Sequence, residues 1–299
     1  MRASAPRLTL ALLGAAFAAS GCASSPPGDA RPGARDREIA ALRACEPPAP
    51  GPVPDGADDA ARCLADDPLA CRRAADRLLR DPRAGSAESE RALALLERAC
   101  RACEGDACYL AGSMLDMGFG VGKDERRAND HYVRGCALAS PDACHALGVN
   151  QELGVAQPAS AADAAATYRR ACDLGSLPGC TALGTMYARG LGVAGNMPEA
   201  RLLWEVTCEH DEPRACAHLG FLFASGTGGV PQDTSKAASL FARACMGGDG
   251  RSCEGLGLFY LAGEGVSHDG DRARRLFQIA CDAGAGTACA RLQAGTEPE

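Results

Sequence analysis

Apolar residues recur through most of this chain at helical spacing, and two helical patterns alternate. In one, an alanine, an aromatic residue and a cysteine stand four apart: Ala128/Tyr132/Cys136, Ala164/Tyr168/Cys172, Ala200/Trp204/Cys208, Ala237/Phe241/Cys245 and Ala273/Phe277/Cys281. Spacings of i, i+4 and i+8 put all three on one helix face. In the other, a cysteine is followed by leucine at i+3 and an aromatic residue at i+7, as in Cys180, Leu183 and Tyr187. Leu147, Leu219 and Leu256 repeat the leucine, and Phe223 and Tyr260 the aromatic residue. Each unit therefore predicts two amphipathic helices, the first opening at one cysteine and the second closing at the next.

Glycine punctuates both patterns. Gly112, Gly148, Gly184, Gly220 and Gly257 lie just past the leucine position, inside the first helix. A mid-helix glycine costs about 1 kcal/mol relative to alanine, so its repetition predicts a close approach by another helix. Gly118-Phe119-Gly120-Val121, Gly190-Leu191-Gly192-Val193 and Gly263-Glu264-Gly265-Val266 read as helix stops, because glycine accepts the left-handed C′ conformation. The valine is expected under the turn. Asp124, Asn196, Asp233 and Asp269 follow it by three residues and are expected to cap the next helix. Neither helix can bury its stripe alone, so stacking of units must supply the core.

The cysteines set the period. Seven Cys-x7-Cys pairs occur: Cys63/Cys71, Cys100/Cys108, Cys136/Cys144, Cys172/Cys180, Cys208/Cys216, Cys245/Cys253 and Cys281/Cys289. Their first members follow one another at 36 or 37 residues, the mark of a stacked helical repeat. Fixed positions and an even count predict seven disulfides and a life outside the reducing cytosol. Each would staple the end of one unit's second helix to the start of the next unit's first, contributing about 2.5 kcal/mol by loop-closure entropy. Cys45 and Cys103 are left over once Cys22 is set aside; they could pair and pin the N-terminal segment onto the first full repeat, or remain free thiols.

The N-terminus points to export as well. Arg2 and Arg7 precede an apolar stretch, Leu8 to Ala18, too short to span a membrane and suited to a signal peptide. Ala19-Ser20-Gly21-Cys22 resembles a bacterial lipobox, which makes residues 1–22 a lipoprotein-type signal and Cys22 the lipidated residue. Ala19 stands where leucine is commonest, and an ordinary cleavage site nearby is the alternative. Residues 23–56 read as a tether rich in Pro, Gly and Ser, with one short helix from Arg35 to Cys45. The repeat array takes residues 57–299. The expected location is the periplasm or outer membrane, or release from the cell. A net charge of −7, with only Lys123 and Lys236 as lysines, argues against nucleic acid or anionic lipid as partner. The membrane is then met only through the lipid anchor.

Cys180, Leu183, Gly184, Tyr187, Gly190, Gly192, Val193, Ala200 and Trp204 together resemble the Sel-like repeat family, a relative of the tetratricopeptide repeats. The Cys-x7-Cys staple resembles its secreted, cysteine-rich branch. The resemblance implies an all-α, right-handed αα-hairpin solenoid of about six repeats plus caps. It also implies an adaptor whose concave groove binds a protein or peptide of the cell envelope. The branch is further credited with penicillin binding and weak β-lactam hydrolysis. The first pair departs from the pattern, since Cys71-Arg-Arg-Ala-Ala lacks Leu-Gly and no Ala-x3-aromatic precedes Cys63. A capping repeat is expected there.

No catalytic residue is assigned. A serine β-lactamase needs Ser-x-x-Lys, but Gly120 and Asp233 stand three residues before the two lysines. His131, His145, His210, His218 and His268 form no ligand motif, so neither metal nor cofactor is expected. Gly118 to Asp124 resembles a phosphate loop, yet its glycine spacing is short by one and Asp124 replaces Ser/Thr, so it reads as a turn. By analogy with related solenoids, positions +1, +5, +8 and +9 from the second cysteine line the concave groove. The candidate ligand-binding residues are Tyr109, His145, Val149, Thr181, Thr185, Arg189, Phe221 and Leu258. Val149, Phe221 and Leu258 are apolar there. They either pack against the neighbouring first helix or form an apolar strip that grips a peptide.

Overall fold

A computed structural model describes residues 58–294, apart from 66 and 84. The signal peptide, Cys22, the tether and Cys45 lie outside the described residues.

Helix α1 (Asp59–Leu64) precedes six antiparallel pairs: α2 (Pro68–Arg80) with α3 (Ser86–Arg101), α4 (Gly105–Met117) with α5 (Glu125–Ala137), α6 (Pro141–Leu153) with α7 (Ala161–Asp173), α8 (Leu177–Arg189) with α9 (Met197–Glu209), α10 (Pro213–Ser225) with α11 (Thr234–Met246), and α12 (Gly250–Ala262) with α13 (Gly270–Asp282). Helix α14 (Gly286–Ala294) follows. The described residues hold no strand, and the architecture is an all-α hairpin solenoid.

The glycine after the leucine is where the two helices of a pair interlock. A Cβ at Gly112, Gly148, Gly184, Gly220 or Gly257 would stand 2.6 or 2.7 Å from the ring of Tyr132, Tyr168, Trp204, Phe241 or Phe277 respectively. Each first helix thus offers a notch, and the aromatic residue of its own second helix fills it. In the first pair both halves change together: Ala75 stands at the glycine position and Leu96 at the aromatic one, both buried in one cluster. A smaller knob meets a shallower notch, so α2 and α3 form a full hairpin despite the altered motif. The shortened element is α1, which has six residues where most second helices have 13.

Seven disulfides join successive pairs: Cys63–Cys71, Cys100–Cys108, Cys136–Cys144, Cys172–Cys180, Cys208–Cys216, Cys245–Cys253 and Cys281–Cys289. Their Cα–Cα distances are 4.4 to 4.8 Å. Each runs from the last turn of a second helix to the first turn of the next first helix, as the spacing predicts. Cys144, Cys253 and Cys289 show the receiving end, each the fourth residue of its helix, α6, α12 or α14. Cys144 and Cys253 are fully buried, whereas Cys289 is half-buried, because no further repeat covers α14 among the described residues. Cys103 is also disulfide-bonded; Cys45, its candidate partner, lies outside the described residues.

Helix ends follow the expected chemistry. Gly118, Gly190 and Gly263 are left-handed C-caps, and the side chains of Asp124, Asn196, Asp233 and Asp269 accept from backbone N–H groups at the next N-termini. Val121, Val193 and Val266 pack half-buried against the core. A second tie between repeats was not foreseen. Two residues before the closing cysteine, Arg98, Arg134, Arg170 and Arg243 donate to Leu64, Cys100, Ala137 and Cys208 carbonyls of the preceding second helix. These guanidinium groups satisfy C-terminal carbonyls that a helix leaves without partners.

Candidate concave groove

The first helices stack side by side and line one face of the solenoid. Their first-turn residues are positioned by the disulfide and by an N-cap directly before it, Ser140 and Ser176 in two repeats and Glu212 in a third. Registered in this way, His145, Val149, Thr181 and Thr185 come together around a cavity of about 300 Å³. Glu152, Tyr168, Arg214 and His218 complete its walls. Phe221 faces an adjoining cavity of about 600 Å³, which shares Arg214 and His218 with the first and adds Arg251. Tyr109, Arg189 and Leu258 line neither cavity. Nor do the stapled cysteines, Cys144, Cys180, Cys216 and Cys253 included: they hold the register of the groove from behind its surface.

The candidates differ in what they offer a ligand. Thr181 is only 3 % exposed and forms floor: its hydroxyl donates to Glu212 Oε2 at 3.1 Å and stands 3.2 Å from Thr207 Oγ1. The Thr181 carbonyl accepts from Trp204 Nε1 at 3.1 Å and from Thr185 Oγ1 at 3.1 Å. Thr185 Oγ1 also lies 3.3 Å from His218 Nε2, and His218 stacks on Trp204 with centroids 4.5 Å apart. Val149 packs against the cluster around Tyr168 and Leu183, and Leu258 against the one around Phe277. Both are thereby half-buried, and Val149 also lines the smaller cavity. Phe221 is different. It meets Phe241 edge-on at 5.0 Å yet stays 49 % exposed, so half its surface faces the cavity. Tyr109 sits against Tyr132 at 6.1 Å, and Arg189 is exposed at the end of α8.

The groove's electrostatics centre on Arg214. Burial lowers the His145 pKa, and the charge of Arg214 lowers it further against the pull of Asp142. Burial likewise lowers that of His218, with Asp249 opposing and Arg214 assisting. Both imidazoles are therefore neutral at pH 7. The Tyr168 phenol is pushed up, first by burial and then by its hydrogen bond to Glu152 Oε2 at 2.9 Å. Glu212 is committed to its cap, accepting from Ala215 N, and Asp249 Oδ1 accepts from Ser252 N. Arg214 itself is exposed, and no ion pair to it occurs among the described residues. Arg214, His218 and Glu212 were missed because they sit at −2, +2 and −4 from Cys216, outside the wheel positions considered. The shared −2 placement of Arg214 and Arg251 is the signal that could have found them.

Among the described residues no group of three His, Cys, Asp or Glu could hold a metal, and no helix is long and apolar enough to cross a membrane.

The Sel1 repeat pattern matches residues 68–102, 105–140, 141–176, 177–211, 213–249 and 250–284. The first of these spans the α2–α3 hairpin, whose motif departs from the others. Among solved structures, the chain is similar to a protective antigen present in uropathogenic Escherichia coli strains, with TM-score 0.65 and 23% identity, over 78% of this chain and 50% of that one. It therefore spans half the length of that relative. A Sel1 repeat protein from Oxalobacter formigenes gives TM-score 0.64 and 24% identity, covering 82% of this chain and 92% of that one. An immunity protein from Pseudomonas aeruginosa gives 0.50 and 19%, over 72% and 81%. At these identities the likeness establishes the fold alone. No curated protein matches the chain. Six matched repeats covering most of the described residues establish that the chain belongs to the Sel1 repeat family.

Proposed function

We propose that the protein is an exported, lipid-anchored scaffold that binds a protein or peptide partner of the cell envelope in its concave groove. Sel1 repeats are scaffolds for protein–protein interaction, and the seven repeat disulfides among the described residues support an oxidising, exported compartment. The lipobox-like Ala19 to Cys22 supports the anchor. The observation that carries the groove reading is the half-exposed Phe221, lining the larger of two adjoining cavities that share Arg214, where Glu152, Thr181, Thr185, Glu212 and Asp249 are already hydrogen-bonded within the protein. An extended segment could lay an apolar side chain on Phe221 and turn acceptor groups toward Arg214.

The test is Phe221→Glu in oxidised protein. The partner retained from an envelope extract is expected to fall at least about tenfold, since an aromatic anchor at the centre of an interface carries about 2 kcal/mol or more, while Tm drops by no more than a few degrees. A large fall in Tm would make Phe221 a core residue and overturn the assignment.

A further inference from the structure

The N-terminal end of the solenoid carries a cavity of about 640 Å³ that runs along α3 from Glu88 to Arg101. Leu64, Ala74, Leu78, Ala94 and Leu95 form its apolar wall, and Asp58 stands at its edge. Leu64 is 73 % exposed. The cavity has a structural cause. Later second helices stack on a full-length predecessor, but α3 stacks on α1, which stops after six residues. In sequence, Pro52 and Pro54 closely precede α1, and proline in a helix interior breaks the backbone ladder, so the sequence disfavours a longer α1.

The second observation is chemical. Cys103 lies two residues beyond Arg101, in the turn at one end of this cavity, and it is disulfide-bonded. The other fourteen described cysteines are bonded to one another. The chain has 17 cysteines; removing these 15 leaves Cys22 and Cys45. Cys22 is the lipidation candidate of the lipobox. Cys45 closes a segment in which Ile39, Leu42 and Cys45 stand three apart, one face of a helix that ends in a cysteine as the repeat's own second helices do.

We propose that residues Arg35–Cys45 fold back as a helix into the cavity along α3, standing in for the truncated second helix, and are locked there by a Cys45–Cys103 disulfide. The dimensions agree. Eleven helical residues span about 16 Å, within the roughly 20 Å between Glu88 and Arg101 on α3. The 13 residues from Cys45 to Asp58 can reach about 45 Å when extended, ample to return to the start of α1. Forming the bond removes two electrons and two protons from the thiols. They pass by thiol–disulfide exchange to a disulfide donor of the exporting compartment, as for the seven repeat staples. The lipid-proximal tether then begins at Cys45, and the far end of the solenoid is left free.

Mass spectrometry of a non-reduced tryptic digest of the alkylated mature protein tests the bond. The expected species links residues 44–62 to residues 102–123, the latter also carrying residues 99–101 through Cys100–Cys108. Alkylated Cys45 and Cys103, or a link from Cys103 to Cys22, would overturn the proposal. Docking is read by hydrogen exchange. Amides of residues 39–45 should exchange at least about tenfold more slowly than in the reduced peptide of residues 35–46, and Ile39→Asp with Leu42→Asp should abolish that protection while the cross-link remains. A cross-linked segment exchanging at the free-peptide rate would overturn the docking.

Discussion

Phe241 offers a two-sided test of how the hairpins are built, because two glycines face opposite edges of its ring. A Cβ at Gly220, on α10, would lie 2.7 Å from Cδ1 and Cε1. One at Gly255, on α12, would lie 3.4 Å from Cε2. Both sit inside helices, so replacing either by alanine recovers about 1 kcal/mol of helix propensity. At Gly255 the new methyl makes ordinary contact and nothing opposes that gain, so Gly255→Ala should stabilise by about 0.5–1 kcal/mol. At Gly220 the methyl falls well inside contact distance of a ring that is only 2 % exposed. The ring must move, and overpacking costs about 1–3 kcal/mol, which leaves Gly220→Ala destabilised by up to about 2 kcal/mol. The two variants should thus differ by about 1–3 kcal/mol, with Gly220→Ala the weaker. Urea unfolding of the oxidised proteins, followed by far-ultraviolet circular dichroism, reads this as separated midpoints at similar slope. Equal midpoints, or Gly220→Ala the more stable, would refute the notch-and-knob account.

Other consequences concern pH and the staples. Burial lowers the pKa values of His145 and His218 in the folded chain, while the unfolded chain takes up those protons near pH 6.5. Stability is therefore fully present above that pH and lost as pH falls below it, since the unfolded state then binds more protons. Tm should be lower at pH 5.5 than at pH 7.5, and His218→Gln should shrink the difference; an unchanged difference would remove His218 as a cause. Replacing Cys172 and Cys180 by serine should cost about 2.5 kcal/mol. Faster hydrogen exchange should be confined to the last turn of α7 and the first of α8, and loss spread evenly to α2 and α3 would contradict local stapling.

Much of this was legible because stacking reuses one contact. Gly184 and Trp204 are 20 residues apart in sequence, yet the same pair of types recurs around every fully matched hairpin, so one interlock announces itself five times. The disulfides were legible for the same reason: Cys144, Cys253 and Cys289 each meet the cysteine eight residues earlier, across the same short turn between repeats. What escaped depends on how helices lean together. Thr181 occupies a groove position on the helical wheel, but the neighbouring Thr207 and Glu212 close over its hydroxyl and leave it as floor. Arg214 stands one helical turn before His218 on α10, a neighbour the sequence offers, but its influence on His145 of α6 arises only once the first helices stack. The first hairpin lacked the motif and still formed, because Ala75 and Leu96 changed together.

The groove is most directly tested by in-cell photo-crosslinking with the probe at Phe221. Ile279 on α13 is the matched control, 50 % exposed beside 49 % for Phe221, and on a second helix. A discrete adduct from Phe221 and none from Ile279 is the predicted result, and it would deliver the partner for identification. No adduct from Phe221, or the same adduct from both positions, in expressed and fully oxidised protein would contradict a binding groove.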